Sequence, residues 1–318
     1  MRARVLLTAA VLAALALAAP ATAAPATAAG APKPVRVKIL LGQDGGPYEE
    51  ALQGVRRALG RQEMAIEIDV VALQGDAGRA REAVRRSRAE RVALLVTLGS
   101  VATQAAVRDA PDIPIIAGLI LNADDLADAK NATGVVLEFP VETEFRFLQR
   151  LLPRQKRIAV LFNAPENQSR VDAAGRTARS LGLTLQARRL ASPRELPDAL
   201  DLLARDADVL WGMADQVVLN PQTAQPILLF SLRHRIPFVG LSLTWVKAGA
   251  LYALDRDYGD IGAQCGEMAA RVLQGTPPSA LPPVPPRKVL YALNLRTARH
   301  LNIDLPGAVV QAAETVIE

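Results

Sequence analysis

The sequence predicts an α/β protein made of two lobes with parallel sheets, and three observations support this. Continuous apolar runs typical of buried strands alternate with helical segments, which is the pattern of a parallel sheet covered by helices on both faces. The pattern starts again near Pro140 and continues through a second round of similar size. No fixed short repeat runs through the 318 residues, so a solenoid is not expected. The ligand-facing loops of the two lobes are expected to meet in one cleft.

The N-terminus is typical of a secretory signal peptide. A short basic head precedes an apolar run at residues 5–19, and an A-x-A cleavage pattern follows at residues 21–23. The run is shorter than the about 20 residues needed to cross a bilayer, so a membrane anchor is the less favoured alternative. We expect a cleaved signal at residues 1–23 and a disordered leader at residues 24–34.

Cysteine content and charge limit the function classes. Cys265 is the only cysteine, so there is no lipid-attachment cysteine at the cleavage point and no intramolecular disulfide. The mature chain is therefore expected to be exported and periplasmic, and not a lipoprotein.

Removal of Arg2 and Arg4 with the signal lowers the formal charge from +5 to +3. The arginines at residues 79–91 alternate with glutamate and alanine, without the aromatics that stack on bases, so no nucleic-acid partner is expected.

No catalytic or metal-binding pattern is present in the sequence. His234, His300 and one cysteine do not have the spacing of metal ligands, so neither a metal nor a cofactor is expected. The chain has no G-x-S-x-G elbow, no P-loop and no G-x-G-x-x-G. An enzyme is therefore not expected.

The first round alternates strand and helix from residue 35. Its predicted strands are residues 35–41, 65–72, 92–98 and 113–119, and its predicted helices are residues 48–61, 78–88 and 100–109. Ligands of open α/β sheets bind outside the carboxyl ends of the strands. Those ends are the loops at residues 42–47, 99–100 and 118–125, and the first of them contributes Gln43 as a candidate.

The second round begins at Pro140. Its predicted helices are residues 140–152, 171–181, 192–205, 221–234 and 258–273, and its predicted strands are residues 157–162, 183–189, 209–213, 237–241, 249–254 and 288–293. Ser192 and Glu195 have the spacing of a capping box. A closing helix is predicted at residues 306–317.

The turn after the third strand is a candidate anion site. Gly99 ends the strand and Ser100 can cap a helix at once, which leaves unpaired backbone N–H groups at the positive end of a helix dipole. The hydroxyls of Ser100 and Thr103 could donate to a ligand carboxylate or another small anion. The alternative is an ordinary strand-to-helix turn that binds nothing.

Five segments in one order resemble the ABC-transporter substrate-binding family of the type 1 periplasmic binding protein fold, the group that includes tryptophan- and phenylalanine-binding members. They are LLVTLGSVATQAA from residue 94, NATG from residue 131, RLLPRQKRIAVLFNAPENQS from residue 150, KAGALYALDRDYGDIGAQCGEMAARVLQG from residue 247 and NLRTARHLNIDLPGAVVQAAETVI from residue 294. The resemblance runs from about residue 35 to the C-terminus.

The resemblance implies a Venus-flytrap clamshell of two Rossmann-like lobes. Lobe 1 would take residues 35–138 and 255–275, and lobe 2 would take residues 139–254 and 276–318. The lobes would be joined by crossing segments near Phe139, Asp255 and Gly275, which are the expected hinge positions.

In amino-acid-binding relatives the turn matching residues 99–103 takes the ligand carboxylate, and lobe 2 loops hold the amino group. Matching these relatives to the present sequence position by position, and adding Gln43 from the first loop, gives the expected ligand-binding residues. They are Gln43, Ser100, Val101, Ala102, Thr103, Asn163, Glu166, Asn167, Ser169, Asp215, Ser242 and Thr244. Phe162 stands where many relatives have tyrosine, which leaves the ligand identity open.

Several candidates also have a purely structural interpretation. Asp215 at the end of a strand is either a counter-charge for a ligand ammonium or a loop carboxylate. Asp255 and Asp257 are expected to serve the hinge. The aromatic residues near the cleft either stack on a flat ligand or pack in the core.

The resemblance implies a receptor, expected to be monomeric, that binds a small polar solute, most simply an amino acid or similar carboxylate, and delivers it to an ABC permease. Two other functions remain open from the sequence. One is a periplasmic module that reports a solute to a membrane sensor kinase, and the other is an exported α/β enzyme.

Overall fold

Two β-sheets organise residues 34–318, the part of the chain that this computed structural model describes. The predicted signal peptide, and the predicted leader up to residue 33, lie outside the described residues. Within residues 34–318, no helix combines the length and the apolar character needed to span a bilayer.

The first sheet has five parallel strands in the order β2-β1-β3-β4-β5. In chain order its elements are β1 (Val35–Leu41), α1 (Gly46–Leu59), β2 (Ile66–Ala72), α2 (Ala77–Ala89), β3 (Leu94–Leu98), α3 (Ser100–Asp109), β4 (Ile115–Ile120) and β5 (Ala132–Val136). Every residue of β3 and β4 is buried, because helices cover both faces of the sheet.

The second sheet has seven strands in the order β12-β11-β10-β9-β8-β6-β7. Its elements are α4 (Val141–Leu151), β6 (Arg157–Phe162), α5 (Ala164–Ser180), β7 (Thr184–Arg189), α6 (Leu196–Leu203), β8 (Val209–Trp211), α7 (Pro221–His234), β9 (Phe238–Gly240), α8 (Leu243–Ala248), β10 (Tyr252–Arg256), α9 (Tyr258–Leu273), β11 (Val289–Asn294), α10 (Leu295–Leu301), α11 (Gly307–Gln311) and β12 (Thr315–Ile317). The pairs are parallel except β10 with β11.

Helix α9 follows β10 of the second sheet in the chain, but it packs on the first sheet. Ile261 and Cys265 of α9 lie in the same apolar cluster as Ile39 of β1 and Val55 of α1. The two helices approach so closely that a side chain at Gly262 would collide with the backbone of α1.

The segment after α9 also lies against the first sheet. The Thr133 hydroxyl donates to the Leu281 carbonyl at 2.5 Å, and Val284 exchanges backbone hydrogen bonds of 3.0 Å with Gly134 and Val136. The family resemblance implies lobe 2 for residues 276–318, with the lobe of the C-terminal tail left open, and these contacts place residues 281–284 beside β5. The chain returns to the second sheet only at β11.

Several short elements differ from the sequence prediction. Strand β5 and helices α8 and α10 are not predicted, and the predicted closing helix is instead α11 followed by β12. Helix α5 begins at Ala164, so most of the loop expected at residues 163–169 after β6 instead forms the first turns of this helix. The predicted capping box at Ser192 is wrong: Ser192 makes no capping bond, and Glu195 instead accepts from the Ala191 N–H at 3.1 Å.

Candidate ligand-binding cleft

Two adjoining hollows lie where the chain crosses between the sheets. The larger is about 200 Å³ and the smaller about 40 Å³. Leu121 and Leu137, just after β4 and β5 of the first sheet, line the larger one together with Met213 and Leu241, which lie just after β8 and β9 of the second. The cavity is therefore a cleft between the lobes, and the crossing segments form its floor.

Four charged residues on that floor line the hollows: Glu138, Glu144, Arg170 and Arg256, hereafter the floor cluster. Glu138 and Arg256 lie on the crossing segments, Glu144 on α4 and Arg170 on α5. The cluster thus presents two carboxylates and two guanidinium groups to a partly enclosed cavity.

Arg170 bridges the two carboxylates of the floor cluster. Its Nη1 donates to Glu138 Oε2 at 3.0 Å, and its Nη2 donates to Glu144 Oε1 at 2.9 Å. The guanidinium also lies 5.8 Å from the ring centroid of Trp211, within cation–π range. Arg170 therefore has its charge matched within the protein.

Glu144 is the most perturbed carboxyl group of the cluster. Burial raises the pKa of Glu144 to about 7, although Arg170 and a 2.7 Å bond from the Trp211 indole N–H both favour the ionised form. Burial also raises the pKa of Glu138, against the opposing charge of Arg170. Desolvation thus outweighs ion pairing at this site.

Arg256 makes only part of its possible hydrogen bonds. Its Nε donates to the Leu137 carbonyl at 2.6 Å, and its guanidinium lies 5.0 Å from the ring centroid of Phe139. Across residues 34–318 its Nη1 and Nη2 atoms have no hydrogen-bond or ion-pair partner. Glu138 Oε1 likewise has no donor from the described residues.

The N-terminus of α3 forms the candidate anion site on the first lobe. Gly99 adopts φ 99°, and a Cβ there would lie 3.0 Å from Tyr48, so the turn needs glycine. No acceptor from the described chain reaches the Ser100 N–H or hydroxyl, or the N–H of Val101. These donors remain available to an anion.

Thr103 does not contribute its hydroxyl to that site. The side chain is fully buried, its Oγ1 donates to the Gly99 carbonyl at 3.0 Å, and it lies 2.9 Å from Thr97 Oγ1. In this structure α3 turns the Thr103 hydroxyl toward β3 and away from the turn, and a role for Thr103 in ligand binding stays a prediction. Ala102 is also buried, so only its backbone can face a ligand.

Asp215 is a loop carboxylate in the structure. Its Oδ2 accepts from the Asn163 N–H at 2.6 Å and from Asn167 Nδ2 at 2.9 Å, and its Oδ1 accepts from the N–H groups of Val217 and Val218. These four donors match the acceptor capacity of a carboxylate. The structure therefore favours the structural interpretation of Asp215 over an ammonium counter-charge.

The remaining lobe 2 candidates lie around that network. Glu166 accepts from the Gln216 N–H at 3.1 Å, and Ser169 is exposed on α5. Ser242 precedes α8 without a capping bond, and Thr244 is exposed. None of these side chains lines the two hollows.

Of the residues expected at the hinge, Phe139 lines the smaller hollow and is buried under Arg256. Asp255 accepts from the Arg256 N–H at 2.8 Å, and Gly275 follows α9 at φ 102°. Gln43, from the first loop, packs against Gly75.

Sequence reasoning missed Glu138, Glu144, Arg170 and Arg256. The signal that could have identified two of them is their position, because Glu138 precedes Phe139 and Arg256 follows Asp255 at the expected crossings. Glu144 and Arg170 occupy ordinary polar positions in helices, and no sequence pattern distinguishes them from solvated residues.

The described residues contain no group of three or more His, Cys, Asp or Glu side chains placed to hold a metal ion. Cys265 is buried against the Ala117 carbonyl, and burial raises the pKa of its thiol to about 12. Cys265 therefore serves as a buried residue in the apolar core of the first sheet.

Comparison with known proteins identifies relatives. The model of a family described as ABC transporter substrate binding protein matches residues 4–317. The Tyrosine-binding protein of Clostridioides difficile (strain R20291) is 24% identical over 222 aligned residues, and the alignment covers 66% of this chain. The chain spans 63% of the length of that curated relative.

Solved structures share the fold. A ligand-free, open substrate-binding protein with adhesive properties from Clostridium difficile has a TM-score of 0.73 and 20% identity, covering 89% of this chain and 99% of that one. An ABC domain from Streptococcus pneumonia in complex with L-Trp has a TM-score of 0.60 and 21% identity, covering 89% and 100%. A periplasmic ribose ABC transporter protein from Conexibacter woesei has a TM-score of 0.57 and 15% identity, covering 88% and 98%. The predicted fold class, a type 1 periplasmic binding protein, is confirmed.

Proposed function

The chain belongs to the ABC transporter substrate binding protein family, and from this we propose that it is an exported receptor for an amino acid or similar carboxylate. The solute binds in the cleft between the lobes and is delivered to an ABC permease in the membrane. The proposal includes cleavage of the signal peptide, a periplasmic location and a monomeric state.

The charges of the floor cluster are the observation that carries this proposal. A small cavity that presents a free guanidinium end and a free carboxylate oxygen suits a solute that carries both charges. Leu121 on one side of the larger hollow, with Met213 and Leu241 on the other, suits an apolar side chain. A neutral sugar could hydrogen-bond to both groups through its hydroxyls, but it would bring no opposite charge to either of them.

Two relatives are consistent with the same class of solute. One is named for tyrosine binding and one was crystallised with L-Trp. Their low identity supports the class and leaves the particular amino acid open. The α3 turn, with Ser100 and its free N–H groups, is a second position for an anionic group on the first lobe.

The test is isothermal titration calorimetry of the mature chain against the twenty L-amino acids, with D-ribose as a comparison. We expect at least one L-amino acid to bind with a Kd of about 1 μM or tighter. The bound compound, recovered by denaturation, should have an unchanged mass, because a receptor releases what it binds. Binding of ribose with no heat from any amino acid would overturn the proposal, and a chemically altered ligand would favour the exported enzyme.

A further inference from the structure

We propose that Arg256 binds the carboxylate of the ligand and Glu138 binds its amino group, on the floor of the cleft. This inference rests on the proposed function, because it assigns the head group of an amino-acid ligand to two residues of the crossing segments. It replaces Asp215 as the expected ammonium partner, and it replaces the turn at residues 99–103 as the expected carboxylate site.

Arg256 has the free donors that a carboxylate needs. A guanidinium carries five N–H groups in a planar fork, and only the Nε donor of Arg256 is used, by the Leu137 carbonyl. That bond and the Phe139 ring fix the plane of the group before ligand arrives. The two terminal nitrogens can then hold a carboxylate through paired hydrogen bonds.

Glu138 has the free acceptor that an ammonium needs. Arg170 occupies Oε2 of this carboxylate, and Oε1 has no donor from the described residues. The Glu138 N–H donates to the Leu121 carbonyl at 2.9 Å, which fixes the backbone of the residue at the crossing. Because Glu138 lines the larger hollow, Oε1 is placed to accept from a ligand there.

The other charged residues that line the two hollows are already matched. Arg170 uses both terminal nitrogens on Glu138 and Glu144, and Glu144 uses both oxygens on Arg170 and Trp211. Asp215 accepts four protein hydrogen bonds, as described above. No ion pair joins Arg256 to Glu138 within the described chain, although the charge of Arg256 acts to lower the pKa of Glu138. One cation and one anion thus share a hollow without direct contact.

The position of the pair has a consequence for closure. Glu138 and Arg256 adjoin Phe139 and Asp255, the expected hinge positions, so we expect the head group to bind before the lobes close. The side chain of the ligand then lies toward Leu121 and Leu241.

The test uses L-tyrosine as the probe, with tyramine, which lacks the carboxylate, and 3-(4-hydroxyphenyl)propanoate, which lacks the amino group. Calorimetry should show that Arg256→Gln weakens L-tyrosine binding at least about 30-fold while changing tyramine binding less than about threefold. Glu138→Gln should weaken L-tyrosine to a similar degree and leave the propanoate within about threefold. If L-tyrosine is not the amino acid that binds, the same series is made from the one that does.

Two controls make the result decisive. Arg146→Gln removes an exposed arginine that pairs with Glu142 on α4, and it should leave affinity unchanged. Arg256→Lys keeps the positive charge but lacks the planar guanidinium, so its affinity for L-tyrosine should lie between those of wild type and Arg256→Gln. This variant replaces Arg256→Gln in the test if the glutamine variant does not fold.

The outcomes separate this inference from the proposed function. Wild-type affinity for L-tyrosine in both Arg256 variants and in Glu138→Gln would overturn the inference while the amino-acid receptor stands. Failure of the wild-type protein to bind any L-amino acid would overturn both.

Discussion

Replacing Gly262 by alanine is expected to lower the free energy of unfolding by about 3 kcal/mol, because helices α1 and α9 touch through their backbones there. A Cβ at Gly262 would lie 1.9 Å from the Ala51 carbonyl oxygen and 2.6 Å from its carbonyl carbon. Backbone cannot rotate away as a side chain can, so the helices must separate. Ile261 and Cys265 would then lose part of their packing on the first sheet.

Urea denaturation of the variant measures this effect, and Gly175→Ala is the matched control. Gly175 also lies inside a helix, but a Cβ there would meet only the end of the Arg179 side chain at 3.7 Å. Alanine should therefore stabilise that position by about 0.5–1 kcal/mol. A Gly262→Ala protein as stable as wild type would contradict the close approach of α9 to α1.

The second large effect is a loss of stability with rising pH that depends on Glu144. Burial raises the pKa of this group from 4.5 to about 7 in the folded protein. Between about pH 4.5 and about pH 7, Glu144 is therefore protonated in the folded state and ionised in the unfolded state. This contribution is fully present below about pH 4.5 and is lost as the pH rises through about 7. At about 1.4 kcal/mol per unit, the loss approaches about 3 kcal/mol.

The measurement is the free energy of unfolding of wild type and Glu144→Gln at about pH 5 and about pH 8. The glutamine variant cannot titrate at this position, so its stability should fall less between the two conditions. Glu142→Gln, an exposed change on the same helix, should keep the wild-type pH dependence. Equal pH dependence in all three proteins would show that Glu144 does not titrate in this range.

Elements with clear apolar runs or clear start signals were predictable from the sequence. The bounds of β1, α3, β6 and α7 agree with the prediction, because continuous apolar runs mark the two strands and the Gly99–Ser100 turn and Pro221 mark the starts of the two helices. Strand β5 was missed because it contains Gly134, whose Cβ position lies 2.0 Å from the Ala117 carbonyl oxygen. Its strand character comes from pairing with β4, which is a tertiary property.

The C-terminal segment shows the same limit. The sequence predicts one helix over residues 306–317, whereas the last three residues before the terminus pair with β11. Helices of five to seven residues, such as α10 and α11, have too little intrinsic stability to leave a clear pattern. Packing against their neighbours decides their conformation.

The site was predictable only in location. The carboxyl ends of the strands and the crossings do surround the hollows, as expected for this architecture. A polar residue is available to a ligand only if no other part of the chain already hydrogen-bonds to it, and those partners are distant in sequence. Asp215 is matched by Asn163 and Asn167, some fifty positions earlier in the chain, whereas Arg256 is left with free donors. Hydrogen-bond partners across such separations are not visible in a single sequence.

The central claim, that a solute binds in the cleft and brings the lobes together, is tested most directly by small-angle X-ray scattering of the mature protein. The radius of gyration is measured without ligand and with the best-binding L-amino acid at saturation. Polar groups from both lobes can contact the ligand together only in a closed cleft, so binding favours the closed form. We expect a smaller radius of gyration with ligand, and an unchanged radius at a saturation confirmed by calorimetry would contradict the claim.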